Sequence, residues 1–150
     1  SRMSRDDHYD VISAFIKSMR ASDVDVALHW LARMFEAGED PRFIARRMMI
    51  FASEDIGMAD NNALLVTATA AQVLERVGLP EAQLNLAHAV IYLARAPKSR
   101  AVTEAISRAL TDVREGHTGQ APPTTVQPPS YLPLGLGELR YYREDHEDRP

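Results

Sequence analysis

Apolar residues at helical spacing recur six times before residue 116, and this periodicity constrains the fold more than any other feature of the sequence. Each stripe repeats every three or four residues, as in an α-helix with one buried face. No glycine or proline falls inside the predicted helices, except for Pro41, which has a first-turn position where a helix tolerates proline. No segment shows the alternation that is typical of a strand. We therefore predict an all-α array or bundle of about six helices.

Capping and helix-ending residues bound the predicted helices. The connections are short, so we expect consecutive helices to pack as antiparallel hairpins. Residues 84–94 are apolar almost throughout, which predicts a fifth helix that is buried on most of its faces. The predicted bounds are a start after Asp10, an N-cap at Ser22 or Asp23, a start at Pro41, a helix from near Asp60 to Gly78, a start at Pro80, and a last helix that follows Ser99 and ends at Gly116.

Residues 36–57 contain one predicted amphipathic helix with distinct boundaries at both ends. Gly38 ends the preceding helix, and Asp40 is a favourable N-cap. The predicted helix continues to Gly57. Its buried stripe has helical spacing and consists of Ile44, Met48 and Phe51.

Two carboxylates, Glu54 and Asp55, lie near the C-terminal end of this predicted helix, where the helix dipole disfavours negative charge. Acid–base catalysis would require a neighbouring histidine, a pocket or a metal-ligand pattern, and the surrounding sequence offers none. We expect both side chains to meet arginines, within the domain or across a subunit boundary. The candidate interface and salt-bridge residues are Arg42, Arg46, Arg47, Glu54 and Asp55.

Positive charge on the same segment has three possible roles. A solvated helix face is the usual role of such residues, an interdomain or subunit salt-bridge network comes second, and contact with DNA phosphates comes third. The candidate DNA-contacting residues are Arg46, Arg47, Lys98 and Arg100.

Composition narrows the functional classes. The formal net charge is -4, so the chain as a whole lacks the positive charge that attracts nucleic acid. A local basic face remains compatible with this value. The sequence has no cysteine, which excludes disulfides, thiolate metal sites and cysteine nucleophiles. It has no apolar run of membrane-spanning length, and we predict no membrane association.

Motifs for catalysis or cofactor binding are also missing from the sequence. It has no G-x-x-x-x-G-K-[ST], no G-x-G-x-x-G, no H-E-x-x-H and no G-x-S-x-G. We therefore predict no catalytic residue, no metal site and no cofactor in this chain, which by itself should not hydrolyse ATP.

A change in composition after Gly116 predicts a domain boundary. We assign residues 1–116 to a helical domain and residues 117–150 to an irregular tail that is rich in proline and glycine and has a charged end. The two tyrosines of this end, Tyr141 and Tyr142, dock it on the domain, or the end is a solvated tail. Ser1 and Arg2 precede Met3, which suggests a domain excised from a longer protein.

Two long strings, HYDVISAFIKSMRASDVDVALHWLARMFEAGEDPRFIARRMMIFASEDIGMAD and LAHAVIYLARAPKS, carry a resemblance to a known family. They resemble the C-terminal region of the replication-associated recombination protein A family. Its members are AAA+ ATPases related to clamp loaders and to the eukaryotic Werner-helicase-interacting protein. The resemblance covers residues 7–115. The family's K-S-x-R-G-S element is matched except at Ala21, and the matched structural residues are Lys17, Ser18, Arg20, Ser22, Gly38, Glu39, Asp40, Pro41, Gly57, Pro97, Lys98 and Ser99.

This resemblance implies a collar-like helical domain, similar to that of clamp loaders, through which the proteins assemble into homotetramers. The ATPase core, with its ATP and Mg²⁺, would lie N-terminal to this region in the parent protein. The parent would act on DNA at stalled or gapped replication forks in the nucleoid of the cytoplasm, with single-stranded-DNA-binding protein as a partner. After residue 116 the sequence departs from the family pattern.

Three functions therefore remain open from the sequence. The first is homo-oligomerisation without catalysis. The second is direct contact with DNA. The third is docking of another replication protein, which binds the proline-rich tail as its ligand.

Overall fold

The structure is a computed structural model that describes residues 5–125 and 131–148. Over these ranges it has six α-helices and no β-strand, which confirms the predicted all-α fold of about six helices. The helices are α1 (Arg5–Arg20), α2 (Val24–Glu36), α3 (Pro41–Phe51), α4 (Asn62–Val77), α5 (Ala82–Arg95) and α6 (Ala101–Arg114).

The chain forms two compact units, Ser1–Arg100 and Ala101–Pro150. The first contains α1 to α5, and the second contains α6 and the segment that follows it. The predicted boundary at residue 116 rests on composition rather than on packing, so it stays a prediction.

Helix α5 is central to the first unit, where it packs against α1, α2 and α4. Helix α1 pairs with α2, and α3 pairs with α4. The predicted stripe of α3 is buried throughout. The largest buried apolar side chains are Phe15, Met19, Leu31, Met34, Ile44, Met48, Phe51, Ile56, Leu86, Val90 and Leu93.

Two of the first three helices begin at the predicted N-caps, and the start of the other differs from the prediction. Asp23 caps α2 by accepting a hydrogen bond from the Val26 backbone N–H at 3.3 Å, and Asp40 caps α3 through the Arg42 N–H at 2.9 Å. The predicted start of α1 after Asp10 was wrong, because the helix already includes Arg5. Acidic residues in the early turns of a helix complement its dipole, so they extend α1 instead of preceding it.

Helix α3 does not continue to Gly57 as predicted. It ends at Phe51, and Ala52–Ile56 form one turn of π-helix, followed by a short 3₁₀ turn at Gly57–Ala59. We call Ala52–Ile56 the π-turn. Its wider winding changes the direction of Asp55, which is buried and bonded to two arginines.

Helices α4 and α5 expose more apolar surface than the periodicity indicates. Helix α5 is buried at its centre, but Leu84 is 76% exposed and His88 is also exposed, so the prediction of burial on most faces fails at its N-terminal part. On α4 the buried positions are mainly small side chains, whereas Leu64 and Leu65 are exposed.

The described residues that follow α6 contain no further α-helix, and Tyr141 among them packs on α6. The Arg108 guanidinium donates to the Tyr141 carbonyl, and the Tyr141 O–H donates to Asp112 Oδ2, both at 2.9 Å. This hydrogen bond to a carboxylate raises the pKa of Tyr141. An isolated bridge joins Gln120 to Leu134, and a 3₁₀ turn forms at Asp145–Asp148. The charged end is therefore docked through Tyr141.

Candidate functional site

Asp55 is the most buried ionisable residue around the π-turn, with 2% of its surface exposed. Its Oδ1 accepts from Arg20 Nε at 3.0 Å and from Arg100 Nη1 at 2.8 Å. Its backbone carbonyl accepts from the Ser99 N–H at 2.9 Å. We call Arg20, Asp55 and Arg100 the Asp55 ion cluster. The cluster joins the end of α1, the π-turn and the residues that precede α6.

The two guanidiniums make the burial of this carboxylate possible. An unpaired buried charge is strongly unfavourable, whereas each charge-assisted hydrogen bond offsets part of the lost hydration. The side chains of Arg20 and Arg100 are 44% and 46% exposed, so they remain partly hydrated while they bind Asp55. Arg100 also lies 3.7 Å from Glu54. Glu54 and Asp55, at a helix end where the dipole disfavours negative charge, are therefore both next to an arginine.

The arginines that meet these carboxylates are not those on the candidate segment. Arg42 instead forms a bidentate pair with Glu75 of α4, at 2.6 and 2.9 Å. Within the described part of the chain, the structure records no ion pair for Arg46 or Arg47. Sequence reasoning missed Arg20 and Arg100 as partners, because they are 35 and 45 residues away from Asp55. The only signal for Arg20 was its place in the family motif.

Two of the four candidate DNA-contacting residues have contacts inside the first unit. Lys98 Nζ donates to the carbonyls of Ala94 and Ala96 and to Ser22 Oγ, at 3.1, 2.5 and 3.1 Å. Burial lowers the pKa of Lys98, although the nearby Asp55 charge opposes this shift. Arg100 belongs to the Asp55 ion cluster. Lys98 therefore binds carbonyls at the end of α5 and is poorly placed to meet a phosphate.

Most of the family-motif residues form turns and helix ends and do not form a reactive site. Gly38 has a φ of +74°, which ends α2 in a conformation that favours glycine, and Ser22 has a φ of +61°. Glu39 Oε2 lies 2.6 Å from His8 Nδ1, so the two side chains share a hydrogen bond. Pro41 is the first residue of α3, and Ser18 Oγ donates a hydrogen bond to the Ala14 carbonyl. Ser99 is buried, whereas Pro97 and Lys17 are exposed.

Replacing Gly57 by alanine is expected to destabilise the fold by about 1–3 kcal/mol, the usual range for a residue forced into a sparsely populated backbone region. Gly57 has φ +51° and ψ -127°, where a Cβ is strained. Urea unfolding followed by circular dichroism measures the effect. Gly137→Ala is the control, because its φ is ordinary and no atom lies within 4 Å of an added Cβ. Equal stability of the two variants would contradict this expectation.

An apolar groove lies between α4 and α5, with a volume of about 370 Å³. Leu65, at its edge, is 63% exposed, and Leu84 lies one helical turn before the groove residue His88. Tyr92 donates its O–H to Asp60 Oδ2 at 2.5 Å, and this bond raises the pKa of Tyr92. We call this region the α4–α5 surface; it comprises Leu65, Val66, Ala70, Val73, Leu84, His88, Ala89 and Tyr92.

A second apolar stripe lies on α6, where Ile106, Leu110 and Val113 are exposed. At the end of the same helix, the ligand atoms of Asp112, Glu115 and His117 lie within 4.8 Å of one another. These groups are at the surface, and exposed acidic groups often share such spacing without a metal. We assign no metal site to them.

The comparisons with known proteins decide the family. The family model described as the C terminal of the MgsA AAA+ ATPase matches residues 21–149. The chain belongs to this family. It is 57% identical over 143 residues to an uncharacterized AAA domain-containing protein of Mycobacterium tuberculosis, covering 95% of this chain and 32% of that protein.

Two further relatives have the names of the family that the sequence resembles, and they confirm this resemblance. Replication-associated recombination protein A of Escherichia coli is 43% identical over 143 residues, covering 95% of this chain and 32% of that protein. The ATPase WRNIP1 of Dictyostelium discoideum is 46% identical over 94 residues, covering 63% of this chain and 11% of that protein. The chain therefore spans at most a third of the length of these three relatives. Among the described residues, no helix is long and apolar enough to cross a membrane.

Proposed function

We propose that this member of the MgsA C-terminal family is the homo-oligomerisation domain of a clamp-loader-related AAA+ ATPase. In the parent, this domain assembles a homotetramer, and an N-terminal core binds ATP and Mg²⁺. The parent acts on DNA in replication-fork maintenance, recombination and repair, in the cytoplasm and with single-stranded-DNA-binding protein as a partner. The name of its Escherichia coli relative, which refers to replication and recombination, supports this assignment.

The observation that supports self-assembly is the α4–α5 surface. Leu84 and Leu65 are 76% and 63% exposed, beside a groove whose walls include the small side chains Ala70 and Ala89. Burial of a leucine side chain contributes roughly 1.5–3 kcal/mol, so a surface with two exposed leucines favours a partner.

A second copy of this chain is the partner that fits this surface. The same face offers both protruding leucines and an apolar groove, as a two-fold interface requires, because each subunit must supply both halves. The exposed stripe of α6 provides a further apolar surface. A tetramer built from two-fold dimers needs two different interfaces, and these two surfaces meet that need.

The function of the α4–α5 surface can be tested by multi-angle light scattering after size exclusion. We expect the unaltered chain to be tetrameric, and Leu65→Glu or Leu84→Glu to shift it toward smaller species, because a buried unpaired carboxylate opposes association. Leu110→Glu, on α6, should stop assembly at a dimer. The control is Ile50→Glu, which adds the same charge at an exposed position of α3 outside both surfaces. A monomeric unaltered chain at high protein concentration would refute the proposal.

Contact with DNA through Arg46, Arg47, Lys98 and Arg100 as one set is not favoured. Lys98 binds backbone carbonyls, and Arg100 binds Asp55. Within the described residues, Arg46 and Arg47 are the members of this set for which the structure records neither an ion pair nor a side-chain hydrogen bond.

A further inference from the structure

The outward face of α5 has a symmetric arrangement of residues about His88. Leu84 and Tyr92 lie four residues before and after His88, and Glu81 and Arg95 lie seven residues before and after it. Glu81 precedes α5, but its backbone angles are helical, so all five positions share one side of a helix that turns about 100° per residue. Four of them are exposed, and Tyr92 is partly buried. The face therefore has an acid and a base at equal distances from its centre.

The centre of this face is uncharged, whereas its two ends carry opposite charges. Among the described residues that line the groove beside it, none is a lysine, an arginine or a carboxylate. Glu81 and Arg95 lie about 21 Å apart along the helix, at about 1.5 Å per residue. The structure records no ion pair for either residue within the described part of the chain. An apolar centre with a polar rim is the usual anatomy of a protein interface.

The two charges determine the direction in which a second α5 helix can pair with this face. In a parallel pair, Glu81 would meet Glu81 of the second copy and Arg95 would meet Arg95, so like charges would repel each other at both ends. In an antiparallel pair centred on His88, each Glu81 meets Arg95 of the other copy. The two helix dipoles then also point in opposite directions, which is favourable. Charge complementarity therefore selects the antiparallel arrangement.

The shape of the face agrees with this arrangement. In the antiparallel register, Leu84 of each copy lies opposite Tyr92 of the other copy. Leu84 is 76% exposed, and Tyr92 forms a wall of the groove between α4 and α5, where it donates a hydrogen bond to Asp60. The protruding leucine of each copy therefore meets the groove of the other, and this contact occurs twice, as a two-fold axis requires.

We propose that two copies of this chain associate through antiparallel α5 helices on a two-fold axis at His88, with each Glu81 paired to Arg95 of the other copy. This inference rests on the proposed self-assembly, and it adds the direction and the register of one interface. His88 is then the residue of this face that meets itself, whereas Glu81 and Leu84 meet different residues of the second copy.

Exchange of the two charges tests the pairing, by sedimentation of the full chain over a dilution series. Arg95→Glu puts like charges at both ends of the interface and should raise the dissociation constant about tenfold. Glu81→Arg alone should have the same effect from the other side. The two substitutions together restore opposite charges in reverse order and should return the dissociation constant to within about threefold of the unaltered chain. Persistent weakening in this double variant would overturn the pairing.

The control for the charge exchange is Arg46→Glu. It makes the same change of charge at an exposed position of α3, outside the interface, and should leave the dissociation constant within about twofold. Weakening equal to that of Arg95→Glu would show a general effect of net charge and would also overturn the pairing. Circular dichroism melting of each variant shows that the fold is retained.

Cysteine cross-linking tests the position of the axis, because the chain has no cysteine of its own. A disulfide requires two Cα atoms within about 7 Å. His88→Cys places its thiol on the axis, next to the same residue of the second copy, and should give covalent dimers with copper–phenanthroline as the oxidant. Leu84→Cys is the control on the same face. The two copies of this residue lie about 12 Å apart along the antiparallel helices, so they should not cross-link.

Non-reducing gel electrophoresis and intact mass measure the covalent dimer. Equal cross-linking of the two cysteine variants, or none at His88→Cys, would overturn the proposed register. These results differ from a failure of self-assembly itself, which a monomeric unaltered chain would show. A chain that assembles, but neither recovers in the charge-exchanged variant nor cross-links at His88→Cys, would refute the antiparallel pairing of α5 alone.

Discussion

Replacing Asp55 by alanine is expected to lower the free energy of unfolding by about 3 kcal/mol, because breaking a buried ion pair typically costs about 3–5 kcal/mol. The loss lies at the lower end of that range, since Arg20 and Arg100 are half exposed and can rehydrate. Asp55→Asn should cause a smaller loss, because the amide retains the volume and one acceptor oxygen but not the charge. Urea unfolding at a fixed protein concentration measures both variants, because self-assembly would otherwise change apparent stability.

Glu75→Ala is the matched control for Asp55→Ala. It also removes a carboxylate that binds arginine bidentately, but the pair with Arg42 is on the surface, where solvent screens it. We expect little change in the unfolding midpoint for this control. If the two substitutions lowered the free energy of unfolding equally, the Asp55 ion cluster would stabilise the fold no more than an exposed ion pair does.

Replacing Ile44 by alanine is the second large effect that we expect, at about 3–4 kcal/mol. The Ile44 side chain is 0% exposed in the core of the first unit, so its removal loses burial and leaves a cavity among side chains held by several helices. Differential scanning calorimetry and urea unfolding measure this loss.

Ile50 provides a control on the same helix with the same chemical change. It is 45% exposed, so Ile50→Ala should cost less than about 1 kcal/mol. Equal destabilisation by the two substitutions would contradict the assignment of the buried face of α3. Ile44→Val should cost less than Ile44→Ala, at roughly 0.5–1.5 kcal/mol.

The sequence predicted those parts of the fold that depend on local chemistry. Asp40 caps α3 as expected, since an N-cap requires only the next few backbone amides. The buried face of α3 was also correct, because its stripe has a strict helical period. On α4 a helical period of large apolar residues does not identify the buried side. Small residues such as Ala63 and Ala70 face the packed side there, and larger Leu64 and Leu65 face outward.

The site could be predicted only in part, because its contacts join distant segments. The unusual position of Glu54 and Asp55 indicated that arginines should meet them, but spacing cannot show which of many arginines folds back to the π-turn. A groove between α1 and α3 was hidden for the same reason. Tyr9 and Lys17 are on α1, whereas Arg47 is on α3, and only packing brings them to one cavity.

The π-turn also determines which changes in chain length this segment accepts. A π-helical turn contains an additional residue compared with an α-helical turn, and each residue of an α-helix rotates the following side chains by about 100°. Deletion of one residue within Ala52–Ile56 would allow the α-helix to continue and would turn Asp55 away from Arg20 and Arg100. Substitutions at exposed positions are therefore compatible with this segment, whereas insertions and deletions are not.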